Sequence, residues 1–237
     1  LCPQYCKLQC PRNSSGGAIE ISRIERTCLA KTREKAPTAY NLPVRDERIA
    51  VVGAGLRGLA CALRLARKKY KVTVYEKASQ LGGRLDKLAG YSRYIEDIKL
   101  QFKFEECEFI LNRGIEDLKS ISSEYNAIFV AAGKCTSDLM AESRCVSTSK
   151  RTCVFSDEGA ADIDFMHALA GGIESASDIE RYLKTGILQK KPSPKKSKIE
   201  VCQKNVLFES AVQPFGDEDL YTEEELGKEI GRCLKCQ

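Results

Sequence analysis

Apolar positions along the chain fall alternately into short continuous runs and into stretches of helical period. Residues 48–55 (RIAVVGAG) form a β-branched, apolar run closed by glycine, which reads as a buried strand. Residues 56–70 (LRGLACALRLARKKY) are rich in Ala, Leu and Arg and read as a helix. KVTVYEK (71–77) is the next strand. Strand, turn, helix and strand within about 30 residues make a βαβ unit. Downstream the pattern predicts a helix over 94–106, a strand over 107–112, a weaker helix over 115–125 and a buried strand over 126–133 that ends in small residues. A short strand at 151–156 and a long helix at 164–186 follow. Residues 18–31 place Ile19, Ile21, Ile24 and Cys28 largely on one side of a further helix, and residues 221–237 read as a helix with an acidic start.

Between these elements lie polar or proline-bearing stretches. Residues 35–47 read as an extended linker, 134–153 as polar and irregular, and 188–200 (LQKKPSPKKSKIE) as a solvated lysine and proline linker. The resulting division is a helical arm and linker at 1–45, a nucleotide-binding domain at 46–187, and a basic linker with a detached C-terminal helix at 188–237. The predicted class is α/β: a three-layer, Rossmann-like domain with a parallel sheet.

The turn between the first strand and its helix carries the chemistry. Gly53, Gly55 and Gly58 make a G-x-G-x-x-G fingerprint. The first glycine allows the sharp turn, the second lets the backbone approach a pyrophosphate, and the third lets helix and strand pack closely. The helix start, at Leu56 and Arg57, offers unpaired N–H groups and a positive dipole end to phosphate. Arg57 either adds a phosphate contact or points to solvent. Glu76 closes the second strand, where a carboxylate accepts hydrogen bonds from a ribose and repels a 2′-phosphate.

Composition narrows the partners. A net charge of +5 is mildly basic, but the lysines sit on no motif that reads nucleic acid, so no nucleic-acid partner is expected. No run of about 18 apolar residues exists, so no membrane span is expected. No charged segment followed by an apolar stretch opens the chain, and several thiols fall inside regular elements. The expected compartment is therefore the cytoplasm. No Ser/His/Asp or paired-carboxylate constellation appears, and the single histidine, His167, lies early in the last long helix.

QLGGRL (80–85), with Gly82, Gly83 and Arg84, resembles the flavoprotein extension that follows the acidic residue. From here the chain resembles the FAD domain of the glutamate synthase small subunit family. The dihydropyrimidine dehydrogenase N-terminal region and the selenate reductase-like oxidoreductases belong with it. CPQYCKLQCPRN, the 48–85 segment, YNAIFVAAGK, the 154–183 segment and GRCLKC carry the likeness. The resemblance implies FAD as cofactor. It places Lys77, Ala132 and Gly133 near the dinucleotide and makes Asp157 or Glu158 the candidate ribityl contact. Family members carry an NAD(P)H domain between the small-small-Gly strand and the last strand. Here only residues 134–153 lie there, and no second glycine fingerprint occurs.

Of twelve cysteines, seven are isolated and five cluster at the two ends. Cys2, Cys6 and Cys10 resemble half of the family's iron–sulfur ligands, and Cys233-x-x-Cys236 half of another motif. The resemblance implies [4Fe–4S] clusters completed by other segments, the alternative being five unligated thiols. The expected function is an electron-transfer oxidoreductase module in which FAD exchanges electrons with iron–sulfur or other redox segments. Two alternatives stay open: a non-catalytic FAD- or ADP-binding module, and a small NADH-dependent flavin oxidoreductase.

Overall fold

The computed structural model describes residues 2–32, 36–133, 153–156, 165–187, 208–214 and 219–234. In chain order the elements are α1 (Tyr5–Leu8), α2 (Ile21–Lys31), β1 (Arg48–Val52), α3 (Leu56–Ala66), β2 (Lys71–Tyr75), α4 (Tyr91–Gln101), β3 (Cys107–Ile110), α5 (Lys119–Ser122), β4 (Ala127–Val130), β5 (Cys153–Ser156), α6 (Phe165–Thr185) and α7 (Glu223–Gly231). They fall into two compact units, one spanning 36–191 and one joining 2–35 to 192–237.

The first unit is built on a five-stranded sheet of order β3-β2-β1-β4-β5, every pair parallel. Val51 of β1 lies beside Val74 of β2 on one flank and Phe129 of β4 on the other. Strand residues alternate between two cores. Ile49, Val51, Val72, Val74, Ala127 and Phe129 pack with Leu59 and Leu65 of α3, Ile95 of α4 and Ile179 of α6. Ala50, Val52, Tyr75, Ile128 and Val130 pack on the other face with Ile115, Leu118, Ile121 and Tyr125. A parallel strand covered on both faces has no reason to alternate polar and apolar residues, which explains the unbroken run at the start of the domain. The expected three-layer α/β architecture is present.

The weaker helix expected over 115–125 shrinks to one turn, α5. The Asp117 carboxylate accepts the Lys119 N–H at 2.9 Å, and the Ser120 hydroxyl donates to the Asp117 carbonyl at 2.6 Å. Such short-range bonds offer the backbone an alternative to the helix.

The second unit joins the two ends of the chain. The arm and the C-terminal helix, expected as separate appendages, form it together. At its centre Glu229 is fully buried, Arg232 is 5 % exposed and Arg12 6 %. The Arg232 guanidinium donates to Glu229 Oε2 at 2.7 Å, to the Gly17 carbonyl at 2.7 Å and to the Glu209 carbonyl at 3.0 Å. Glu229 also accepts the backbone N–H of Glu20 and of Val212, both at 3.1 Å. Arg12 Nε donates to the Arg232 carbonyl at 2.8 Å. A buried charge persists only where its hydrogen-bonding groups are met, and these are. Thr222 caps α7 in a reciprocal pair with Glu225.

Candidate dinucleotide site

A ligand crevice in an open parallel sheet lies at the carboxyl ends of the strands, where the strand order reverses. In the first unit that point falls between β1 and β4. The chain leaves β1 at Gly53 with φ +105°, and a Cβ there would lie 2.5 Å from the Ala131 carbonyl oxygen. Gly58 is as tightly bound, since its Cβ would lie 1.9 Å from the Gly53 carbonyl oxygen. Gly55 differs: a Cβ there would meet nothing within 4 Å. The first and third glycines therefore serve the fold, and the second keeps space clear in front of the helix.

Gly55 is the N-cap of α3, with φ −69°, and no side chain caps the helix. Its first turn, Leu56, Arg57 and Gly58, contains no acidic residue. The first N–H groups of a helix lack intrahelical partners, and here neither an N-cap side chain nor an acidic residue of the first turn takes them. Among the described residues that leaves open space in front of the helix start, an arrangement that suits an anion.

Glu76 directly follows β2 and is 9 % exposed. Its Oε2 accepts the Ala54 N–H at 2.7 Å, and its Oε1 accepts the Ala78 N–H at 2.9 Å. Each carboxylate oxygen keeps a further acceptor direction. Glu76 thus braces the glycine turn in addition to standing where a ribose binder is expected. Gly82 donates its N–H to the Ala54 carbonyl at 2.8 Å, and Gly83, at φ +53°, would set a Cβ 3.1 Å from Gly55 Cα. The second glycine pair therefore backs directly onto the first turn.

Gly53, Gly55, Leu56, Arg57, Gly58, Glu76 and Gly83 thus meet at the carboxyl end of β1 and β2. Lys77 and Arg84 are exposed beside them, with the Arg84 guanidinium 5.9 Å from the Phe165 ring. Ala132 and Gly133 follow β4, Gly133 with φ +62°. Asp157, Glu158 and Cys236 lie outside the described residues. Cys2, Cys6, Cys10 and Cys233 are free thiols. Among the described residues no three His, Cys, Asp or Glu side chains gather as a metal-binding group. No described helix is long and apolar enough to cross a membrane.

Two residues escape motif reading. Ala54 ties the turn to both Glu76 and Gly82 through its backbone, which no side-chain pattern reveals. Gly172 lets α6 press on the first turn of α3, for its Cβ would lie 2.3 Å from the Arg57 carbonyl oxygen. Its signal was present, because a glycine pair inside a long helix costs stability and asks for a packing reason.

The family of NAD(P)-binding Rossmann-like domains matches residues 51–89, the segment that holds the three-glycine turn, the Gly82–Gly83 pair and Glu76. The glutamate synthase [NADPH] small chain of Escherichia coli (strain K12) is 30% identical over 146 residues, covering 56% of this chain and 30% of that one. Its Bacillus subtilis (strain 168) counterpart is 36% identical over 87 residues, covering 36% and 18%. The NADPH-Fe(3+) oxidoreductase subunit beta of Geobacter sulfurreducens (strain DL-1 / KN400) is 25% identical over 146 residues, covering 56% and 21%. The chain spans less than a third of the length of these relatives. Over about half of its own length the chain is similar to glutamate synthase small chains and to an oxidoreductase subunit, with residues 51–89 matching the NAD(P)-binding Rossmann-like domain.

Proposed function

We propose that the first unit binds FAD and serves as an electron-transfer module, exchanging electrons with iron–sulfur or other redox segments. The observation that carries this reading is the open position at Gly55, in front of an uncapped α3 and beside the braced Glu76. A pyrophosphate fits those donors, and a ribose with free hydroxyls fits the carboxylate. FAD is favoured because Gly82 and Gly83 dock on the first turn, which a nicotinamide site does not require. Leu56 and Arg57 would supply N–H groups to the phosphates, Glu76 would hold the ribose, and Lys77, Arg84, Ala132 and Gly133 would border the rest. Asp157 or Glu158 would meet the ribityl chain. FAD supplies reversible one- and two-electron chemistry, and the protein binds, orients and shields it. Cys2, Cys6, Cys10, Cys233 and Cys236 would act as iron–sulfur ligands only together with other segments.

The match to NAD(P)-binding domains supports a second reading, with a nicotinamide nucleotide at the same turn. One experiment separates the two. The purified chain is denatured and the released nucleotide identified by chromatography and absorbance. FAD in near-stoichiometric amount supports the proposal. NAD(P) alone supports the second reading, and failure of added FAD to bind the protein overturns the first.

A further inference from the structure

Beyond β3 the chain is zipped onto the segment that carries Glu76. Glu76 donates its N–H to the Ile110 carbonyl at 2.9 Å, Asn112 to the Ala78 carbonyl at 3.0 Å, and Arg113 to the Glu76 carbonyl at 2.9 Å. Arg113 thereby lies immediately outside the acidic residue, one strand further along the sheet edge. Its guanidinium rests over the Tyr75 ring, 5.2 Å from the centroid. Tyr75 is in turn fixed from below, its hydroxyl 2.8 Å from that of Tyr125. Arg113 stays exposed, and no carboxylate among the described residues pairs with it.

From these positions we infer that Arg113 is a specificity-determining residue that takes the adenine ring of the bound nucleotide. The inference rests on the dinucleotide reading of the site and deepens it. Functional groups succeed one another along the strand ends. The phosphate-binding helix start stands over β1, the ribose carboxylate follows β2, and Arg113 follows β3. A nucleotide laid in that order presents its base to Arg113. A guanidinium is planar and stacks on aromatic faces, which an ammonium does not do. One held on Tyr75 loses little freedom when a purine arrives, so its binding contribution is not spent on ordering it. A 2′-phosphate is a poorer occupant, because the Glu76 carboxylate beside it is negative.

The test uses the full chain freed of nucleotide and titrated with FAD, ADP and FMN. FMN lacks the whole AMP half, that is the adenine, its ribose and one phosphate, and so reports the flavin side of the site without this contact. Arg113→Ala is expected to weaken FAD and ADP about tenfold, as for one desolvated cation–π contact, and to leave FMN unchanged. Arg113→Lys keeps the charge and a cation–π attraction without the flat face, and is expected to weaken both by less than alanine does but measurably below wild type. Equal thermal unfolding of the variants and wild type shows that the fold is retained. Wild-type affinity for FAD and ADP in either variant overturns the inference while leaving the dinucleotide reading intact. A wild-type chain that binds neither overturns both, and it does so before any variant is made.

Discussion

The Glu76 carboxylate takes the backbone N–H of Ala54 at 2.7 Å, so the acid at the end of β2 braces the glycine turn that follows β1. Under the proposed function, a single side chain couples the stability of the turn to recognition of the ligand. Replacing it by alanine leaves a buried N–H without a partner, which costs about 1–3 kcal/mol. Glu76→Ala is expected to lose that much in denaturant unfolding and to weaken FAD as well. Glu76→Gln keeps one acceptor oxygen, so it should unfold closer to wild type yet bind FAD more weakly by about 1–3 kcal/mol, because the charged acceptor is gone. Unchanged flavin affinity in the Gln variant would remove the ribose from Glu76 and leave it a brace alone.

Two glycines of the turn make separable predictions. Gly55→Val adds a side chain where nothing lies within 4 Å, at a φ any residue adopts. It should fold with near-native thermal stability and purify without bound nucleotide. Gly58→Val would put Cβ 1.9 Å from the Gly53 carbonyl oxygen and should lose folded protein altogether. If both variants fold and bind alike, the space at Gly55 is not the ligand's.

The glycine turn and its two strands were legible because each demand on them is local: a tight turn, an open approach, an apolar run. Glu76 was legible by its spacing, but its bonds to Ala54 and Ala78 were not, because backbone partners leave no trace in residue type. The length of α5 was misread because the apolar residues Leu118 and Ile121 have helical spacing. Their burial under the sheet does not need a helix, and Asp117 turns the backbone aside. The joining of the two chain ends was invisible for a different reason. Its centre is Arg12, Glu229 and Arg232, residues that a hydrophobic pattern assigns to the surface.

That buried network gives a stability prediction. Removing one member strands the others: Arg232→Ala leaves the Glu229 carboxylate fully buried without its cation. Breaking a buried pair on one side typically costs about 3–5 kcal/mol. Amide hydrogen exchange is expected to quicken across α2 and α7, with little change in β1, β2 and β4. Uniform protection in both units, unchanged from wild type, would show that the network does not hold the ends together.

Acid should act on a different pair. Burial opposes ionisation of Glu180, but hydrogen bonds and charge from Lys184 and Lys68 outweigh it and hold its carboxyl below the ordinary value. A carboxyl whose folded pKa is lowered stabilises above its unfolded pKa and loses that contribution as pH falls through the folded value. Glu180→Gln should therefore destabilise the chain at pH 7, and the gap to wild type should close as the pH drops below the unfolded value of about 4.5. A gap that stays constant down to pH 3 would mean that packing, not charge, sets the loss.

The final prediction concerns the reductant. Between β4 and β5 this chain has residues 131–152, whereas independent domains start at about 50 residues. No second G-x-G-x-x-G occurs in the sequence to seat a nicotinamide nucleotide beside a flavin at the first. Hydride transfer needs the two rings within about 3.5 Å and aligned, and binding energy normally holds that pose. This chain on its own, loaded with FAD, should therefore be reduced by NADH or NADPH only slowly and in proportion to their concentration. Dithionite, which needs no binding site, should bleach it fully. Stopped-flow mixing with millimolar NADH decides the matter: a bleaching rate that saturates within the sub-second range would show a built nicotinamide site and return the chain to the dehydrogenases.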